Sequence, residues 1–254
     1  MLALTHAHLL AAQAHIGHSV RATHRAYLPH VYGTRAGACV IDSRQTLAAL
    51  RRASAVLRDT VARDGVVLFV GSRTGIGKAV EENAERCNAP GEGATNGFPV
   101  TRWKPGTITN ANEVLRPAVP AVEALEQQRR LAQEGSSGSQ ARHHSSSSSS
   151  SSAPAPPAQL RPSLLVLLSP TLDRHALKEA TLAGVPTIGV VDSDVDPRAV
   201  TYPIYANDDS PRAVELIAGV LGMAGKDGQR IKLDVYVCYS LCFAARCQSH
   251  GQVS

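Results

Sequence analysis

A chain of 254 residues with 43% hydrophobic content has an ordinary globular composition, enough for one large domain or two small ones. No run approaches the roughly 18 apolar residues of a membrane-spanning helix, and five cysteines without an even framework favour a reducing compartment over a disulfide scaffold. A formal charge of +5 and an isoelectric point near 9.1 point weakly toward a polyanionic partner.

The charge is unevenly placed. Residues 1–134 carry 16 basic and 11 acidic side chains, residues 161–225 carry 5 and 8, and residues 1–41 contain no carboxylate. An RNA-facing surface is therefore sought in the first half.

Asp42 or Ser43 caps a helix whose Leu47, Leu50, Leu57 and Val61 recur at helical spacing, and Gly65 ends it. Residues 66–70 form a short, β-branched apolar run, the pattern of a strand buried on both faces of a parallel sheet. A glycine-rich turn and a helix over 77–87 follow. The second half repeats the grammar, with strand 164–168, helix 172–183, stop signals at Gly184 and Pro186, and strand 187–191. Ser210 as cap and Pro211 at the first helical position open a last helix with Val214, Ile217, Ala218 and Leu221 inward. Alternation of this kind predicts an α/β fold, a mostly parallel sheet flanked by helices in βαβ units. Residues 135–160 include an eight-serine run and a proline-rich piece that bury too little apolar area to offset their ordering entropy, so they are expected to be a disordered insertion. Residues 1–134 and 161–225 then form two parts of one domain, and 226–254 a C-terminal extension without a recognised role.

Three segments suggest chemistry. VLFVGSRTGIGKAV, residues 67–80, has the strand, glycine turn and helix start of a phosphate cradle. As a P-loop it fails, because five residues separate Gly71 from Gly77 and Ala79 stands where a magnesium-binding hydroxyl belongs. As an NAD(P) turn, Gly71 to Lys78 resembles short-chain dehydrogenases, yet none of the six tyrosines has the Lys four positions later that those enzymes use. Dinucleotide binding is kept as the alternative, against the plainer reading of a tight strand-to-helix turn. Asp192, Asp194, Asp196, Asp208 and Asp209 form an acidic group, but Pro197 and Pro203 break the calcium-loop pattern, and these carboxylates are expected to cap turns and face water. Cys238, Cys242, Cys247 and His250 are four soft ligands whose spacings fit no common zinc knuckle, so no metal is expected.

Several blocks in one order carry a resemblance. AHIGHSVRATHRAYLPHVYGTRAGACVID (14–42), the helix and VLFVGSR strand, RWKPGTITN (102–110), GVPTIGVVDSDVDP (184–197) and TYPIYANDDSPRAV (201–214) together resemble the small-subunit ribosomal protein S2 family. The Asn-Asp-Asp-Ser-Pro run looks like its mitochondrial branch. The departures are a short, proline-interrupted 112–134 where the family has a long helical hairpin, Lys104-Pro105 in place of a Leu-Gly pair, and residues 226–254, which match nothing familiar.

The resemblance implies a protein without an active site or cofactor, on the solvent side of the small subunit near the junction of head and body, contacting rRNA and neighbouring ribosomal proteins. It implies neither a membrane nor a homo-oligomer. Its place would be the mitochondrial ribosome in the matrix. Residues near the N-terminus show no hydrophobic signal core and no evident presequence, so import would use a segment already absent or an internal signal. Backbone recognition of RNA rests on Arg and Lys, and the expected contacts are Arg21, Arg25, Arg35, Arg73, Lys78, Arg102 and Lys104. His15, His18, His24 and His30 fit neither metal nor proton-transfer spacing and are expected to hydrogen-bond RNA or backbone.

Overall fold

The computed structural model describes residues 4–89, 96–110 and 161–249, with side chains to residue 235. The expected hairpin over 112–134, the insertion, the side chains of Cys238, Cys242 and Cys247, and His250 lie outside the described residues.

The apolar runs form the parallel strands β4 (Val67–Val70), β6 (Leu164–Leu167) and β7 (Thr187–Val191). Every residue of β6 and β7 is buried, as expected for strands covered on both faces. With β5 (Gly97–Val100) and β8 (Tyr202–Tyr205) they make a five-stranded sheet in the order β5-β4-β6-β7-β8, parallel at every pairing. The order reverses at β4, so β4 and β6 flank the switch point where α/β folds gather function beyond the strand ends.

Ahead of this sheet, α1 (His6–Ala11) leads into three short strands, β1 (Ile16–Ser19), β2 (Val31–Arg35) and β3 (Ala38–Ile41). They pair antiparallel in the order β1-β3-β2. A 3₁₀ turn, Arg25–His30, bridges β1 and β2. Ala36 (φ 51) and Gly37 (φ 80) close the β2–β3 hairpin, both in the left-handed region that a two-residue hairpin turn with matching twist requires.

Helix α2 (Ser43–Ala62) is capped by Asp42, whose carboxylate accepts from the Arg44 N–H at 2.9 Å. It buries Leu47, Leu50, Ala53, Leu57 and Val61. Helix α3 (Gly77–Arg86) follows β4, and α4 (Arg174–Ala183) ends at Gly184 with φ 67. The expected start of α4 at residue 172 shifts, because the turn after Pro170 leaves Leu172 exposed and turns Asp173 inward.

The last helix, α5 (Pro211–Ser249), runs through residue 226 without a break, so the expected division after Gly225 is not a structural boundary. Gln229 is 4% exposed; its side-chain NH₂ donates to the Cys87 carbonyl and, at 2.8 Å, to Asn96 Oδ1. Lys232 pairs with Asp64 just past the end of α2. Gly222, Gly225 and Gly228, three residues apart, let α5 approach α2 and α3: a Cβ at Gly228 would stand 2.5 Å from the Arg58 carbonyl oxygen.

Residues 1–105 and 161–254 make one compact unit and residues 106–160 another. Of the second, residues 106–110 are described, a turn closed by the Asn110 N–H on the Gly106 carbonyl at 2.8 Å.

Candidate nucleic-acid interface

The N-terminal arm, residues 15–41, buries Tyr27, Cys39 and Ile41 and is held by bonds to the end of β7. The His24 N–H donates to the Ser193 carbonyl at 2.8 Å, the His18 N–H to Ser193 Oγ at 2.9 Å, and the Tyr27 hydroxyl to the Val191 carbonyl at 3.1 Å. Tyr27 is fully buried, edge-on to Tyr205 and His30, and burial holds its hydroxyl protonated far above the usual tyrosine range. Gly17 permits the close approach, since a Cβ there would sit 2.9 Å from Ser193 Oγ. So anchored, the arm presents Arg21, Arg25 and Arg35 exposed.

The arm's histidines divide. His30 stacks on Tyr205 with ring centroids 3.7 Å apart and hydrogen-bonds Gln45, a structural role. His24 accepts from the Ala26 N–H and starts the 3₁₀ turn. Burial, and then Arg35, push the His15 pKa down. His18 reaches into the acidic group, with Nδ1 3.0 Å from Asp192 and Nε2 3.2 Å from Asp209. Burial works to lower its pKa, but Asp192, Asp194, Asp209 and Asp208 outweigh it and the net direction is up.

That acidic group departs from expectation. Asp192 and Asp208 are each 1% exposed instead of facing water. Asp192 accepts from the Ser193 and Asp208 backbone N–H groups. Asp208 lies 3.7 Å from Arg73, and burial with the neighbouring Asp192 pushes its pKa up to about 6 against the pull of that arginine. Asp194 and Asp196 are half-buried, and Asp196 caps a 3₁₀ turn. The cluster thus stitches four chain segments together: the arm through His18, the β4–α3 turn through Arg73, and the ends of β7 and β8.

Arg73, expected to contact RNA, is paired with the protein's own Asp208 and Asp209. The same turn argues against a nucleotide cradle. The Ser72 N–H, an amide that would face a phosphate, donates to Asp173 Oδ2 at 3.4 Å, and the Ser72 hydroxyl also donates to that carboxylate. Asp173 is 3% exposed, so a buried carboxyl group already occupies the donors of the turn.

Lys78 is exposed in the first turn of α3. Arg102 and Lys104 are exposed on either side of Trp103, whose indole N–H donates to Glu179 at 3.1 Å. Because Val70 and Val100 are in register, the β4 turn and the segment after β5 leave the same carboxyl edge of the sheet. The structure therefore gathers Lys78, Arg102 and Lys104 at the ends of β4 and β5, and Arg21, Arg25 and Arg35 on the arm fastened to the end of β7. The pairing of His18 with Asp192, 174 positions later in the chain, carries no local signal in the sequence.

The sequence profile of the family described as Ribosomal protein S2 matches residues 9–228. A Neurospora crassa protein named small ribosomal subunit protein uS2m is 38% identical over 226 residues, 89% of this chain and 47% of its own length. The chain thus spans about half of that relative. A Schizosaccharomyces pombe protein of the same name is 36% identical over 214 residues, covering 84% of this chain and 71% of its own. A Gluconobacter oxydans protein named uS2 is 34% identical over 226 residues, 87% and 81% respectively. On this match the chain belongs to the ribosomal protein S2 family.

Proposed function

We propose that this protein is a structural constituent of the small subunit of the mitochondrial ribosome, binding rRNA and neighbouring small-subunit proteins and catalysing no reaction. The observation that carries the reading is the family match over residues 9–228 together with fungal relatives named as mitochondrial small-subunit proteins. The anchored, carboxylate-free arm supports it from the physical side. Among the described residues no helix is long and apolar enough to cross a membrane. The protein acts as a single copy within the particle, not as a homo-oligomer, and its site is the mitochondrial matrix.

RNA contact is assigned to Arg21, Arg25, Arg35, Lys78, Arg102 and Lys104, exposed cations on the arm and at the ends of β4 and β5. Their task is neutralisation of phosphates, which fixes position without reading sequence. Six such contacts give a salt dependence with a log–log slope of about −4 to −5.

The test is sedimentation of mitochondrial extract at moderate salt. Co-migration with small-subunit rRNA is expected, and reversing charge at Arg21, Arg25 and Arg35 together should weaken incorporation while circular dichroism stays unchanged. A protein confined to the light soluble fractions would overturn the assignment.

A further inference from the structure

We propose that the exposed face of α2 is a second phosphate-binding surface, on which Arg44, Arg51 and Arg52 take the sugar–phosphate backbone of RNA. The inference rests on the RNA-binding reading above and extends it to a helix that the sequence had marked only as structural.

Between Ser43 and Arg58 the helix carries four arginines and no carboxylate. Its inner face, through Leu47, Leu50, Ala53 and Leu57, is buried in the core. Arg44, Arg51 and Arg52 are exposed on the other face, and none has a carboxylate within ion-pair distance among the described residues. Arg58 behaves differently: its guanidinium lies 2.8 Å from Asp59.

Positions 44, 48, 51 and 55 follow the i+4, i+3 steps of one helical line. Ala48 is exposed and Ala55 half-buried between the arginines, so the face has low relief and a partner's backbone can lie close against it. Arg44 and Arg51 are two turns apart, roughly 10 Å along the axis.

The placement of Arg44 runs against the helix. The first turn of α2 contains no acidic residue, and the amino end of a helix dipole repels a cation. The nearest carboxylate, Asp42, is the only one in residues 1–58, and it is committed to the Arg44 N–H and the Gln45 side chain. An isolated chain gains nothing from this arrangement; a polyanion reverses its sign.

Position favours RNA over an acidic protein. All seven basic residues among the first 58 are arginine, whose planar fork takes phosphate and carboxylate alike, so the choice rests on where the face lies. The helix face is continuous with the arm: Tyr32 and His15 of the arm and Arg44 of α2 line one cleft of about 380 Å³. Tyr32 is 80% exposed there.

The experiment uses the full chain and small subunits stripped of it by a high-salt wash. Rebinding is measured as a function of potassium chloride for wild type, for Arg44→Gln/Arg51→Gln/Arg52→Gln, and for the corresponding triple Lys variant. Gln has a helix propensity close to that of Arg, so α2 is preserved. The Gln variant should lose affinity at least tenfold at 0.15 M salt and flatten the log–log slope by about 2, at roughly 0.7 per lost phosphate contact. The Lys variant should keep the slope. A photo-cross-linking side chain at Ala48 should attach to rRNA. An unchanged slope in the Gln variant, or a cross-link to protein, overturns this inference while leaving the arm's role standing. Failure of the wild type to rebind overturns the RNA-binding reading, and this inference with it.

Discussion

Gly225→Ala and Gly219→Ala should change stability in opposite directions. In a helix interior each replacement removes a conformational penalty of about 1 kcal/mol. At Gly219 a new Cβ meets only the Arg86 guanidinium, 3.9 Å away, so that gain is kept. At Gly225 the Cβ would overlap Cys87 Sγ and stand 3.2 Å from Cys87 Cβ and 3.3 Å from Leu57 Cδ2, both on buried residues. Overpacking of that kind costs about 1–3 kcal/mol, and the severity of the overlap places this case at the upper end or beyond. The expected result is a loss of about 2 kcal/mol or more for Gly225→Ala and a gain of about 0.5–1 for Gly219→Ala. In a domain of this size 1 kcal/mol moves Tm by about 2–4 °C. Urea unfolding with unchanged slope is the assay. Cys87→Ala removes the overlapping sulfur, so the double mutant Cys87→Ala/Gly225→Ala should show a favourable coupling of about 1 kcal/mol or more. Equal behaviour of the two glycine variants, or additivity in the double mutant, refutes close packing of α5 on α3.

Tyr27→Phe should cost about 1 kcal/mol, because the Val191 carbonyl loses one of two donors and keeps the Ala206 N–H; amide exchange should quicken in residues 16–41 before it does in the parallel sheet, and uniform exchange would sink the idea that this bond anchors the arm. Gln229→Ala should cost about 2–3 kcal/mol by stripping donors from the Cys87 carbonyl and Asn96, whereas a value near zero would return residues beyond 225 to a dispensable extension. Burial pushes the Cys87 thiol up to about 12 from 9.0, so the raised native pKa gives stability that is full below pH 9 and declines as pH rises through the native value. Iodoacetamide at pH 9 should therefore spare Cys87 until urea is added, as read by peptide mass, and rapid native alkylation would contradict its burial.

What the sequence disclosed was set by how local each signal is. Residues 67–70, 164–167 and 187–191 are apolar runs whose burial on both faces follows from composition alone, and α2 declares itself through its cap and its leucine spacing. The strands of the arm are four or five residues long and partly exposed, and their pairing depends on a hairpin with Ala36 at positive φ, an uncommon choice for that position. The full length of α5 was hidden for a related reason. Gly219, Gly222, Gly225 and Gly228 lower helix propensity one by one, and only the neighbours Asn83, Cys87, Leu57 and Arg58 explain why the penalty is tolerated at the last three.

The acidic group shows the same limit at the site itself. Five aspartates near two strand ends look like solvated turn residues until His18 and Arg73 arrive from distant parts of the chain. Once they do, Asp192 is buried facing His18 and two backbone amides and Asp208 facing Arg73, and the arm is fixed to the sheet by charge as well as by Tyr27. A basic residue's exposure is equally a tertiary fact. Arg73 and Arg25 look alike in sequence, yet one is bound inward by carboxylates and the other stands free on the arm, so the candidate RNA surface could be chosen only after the acidic cluster had been located.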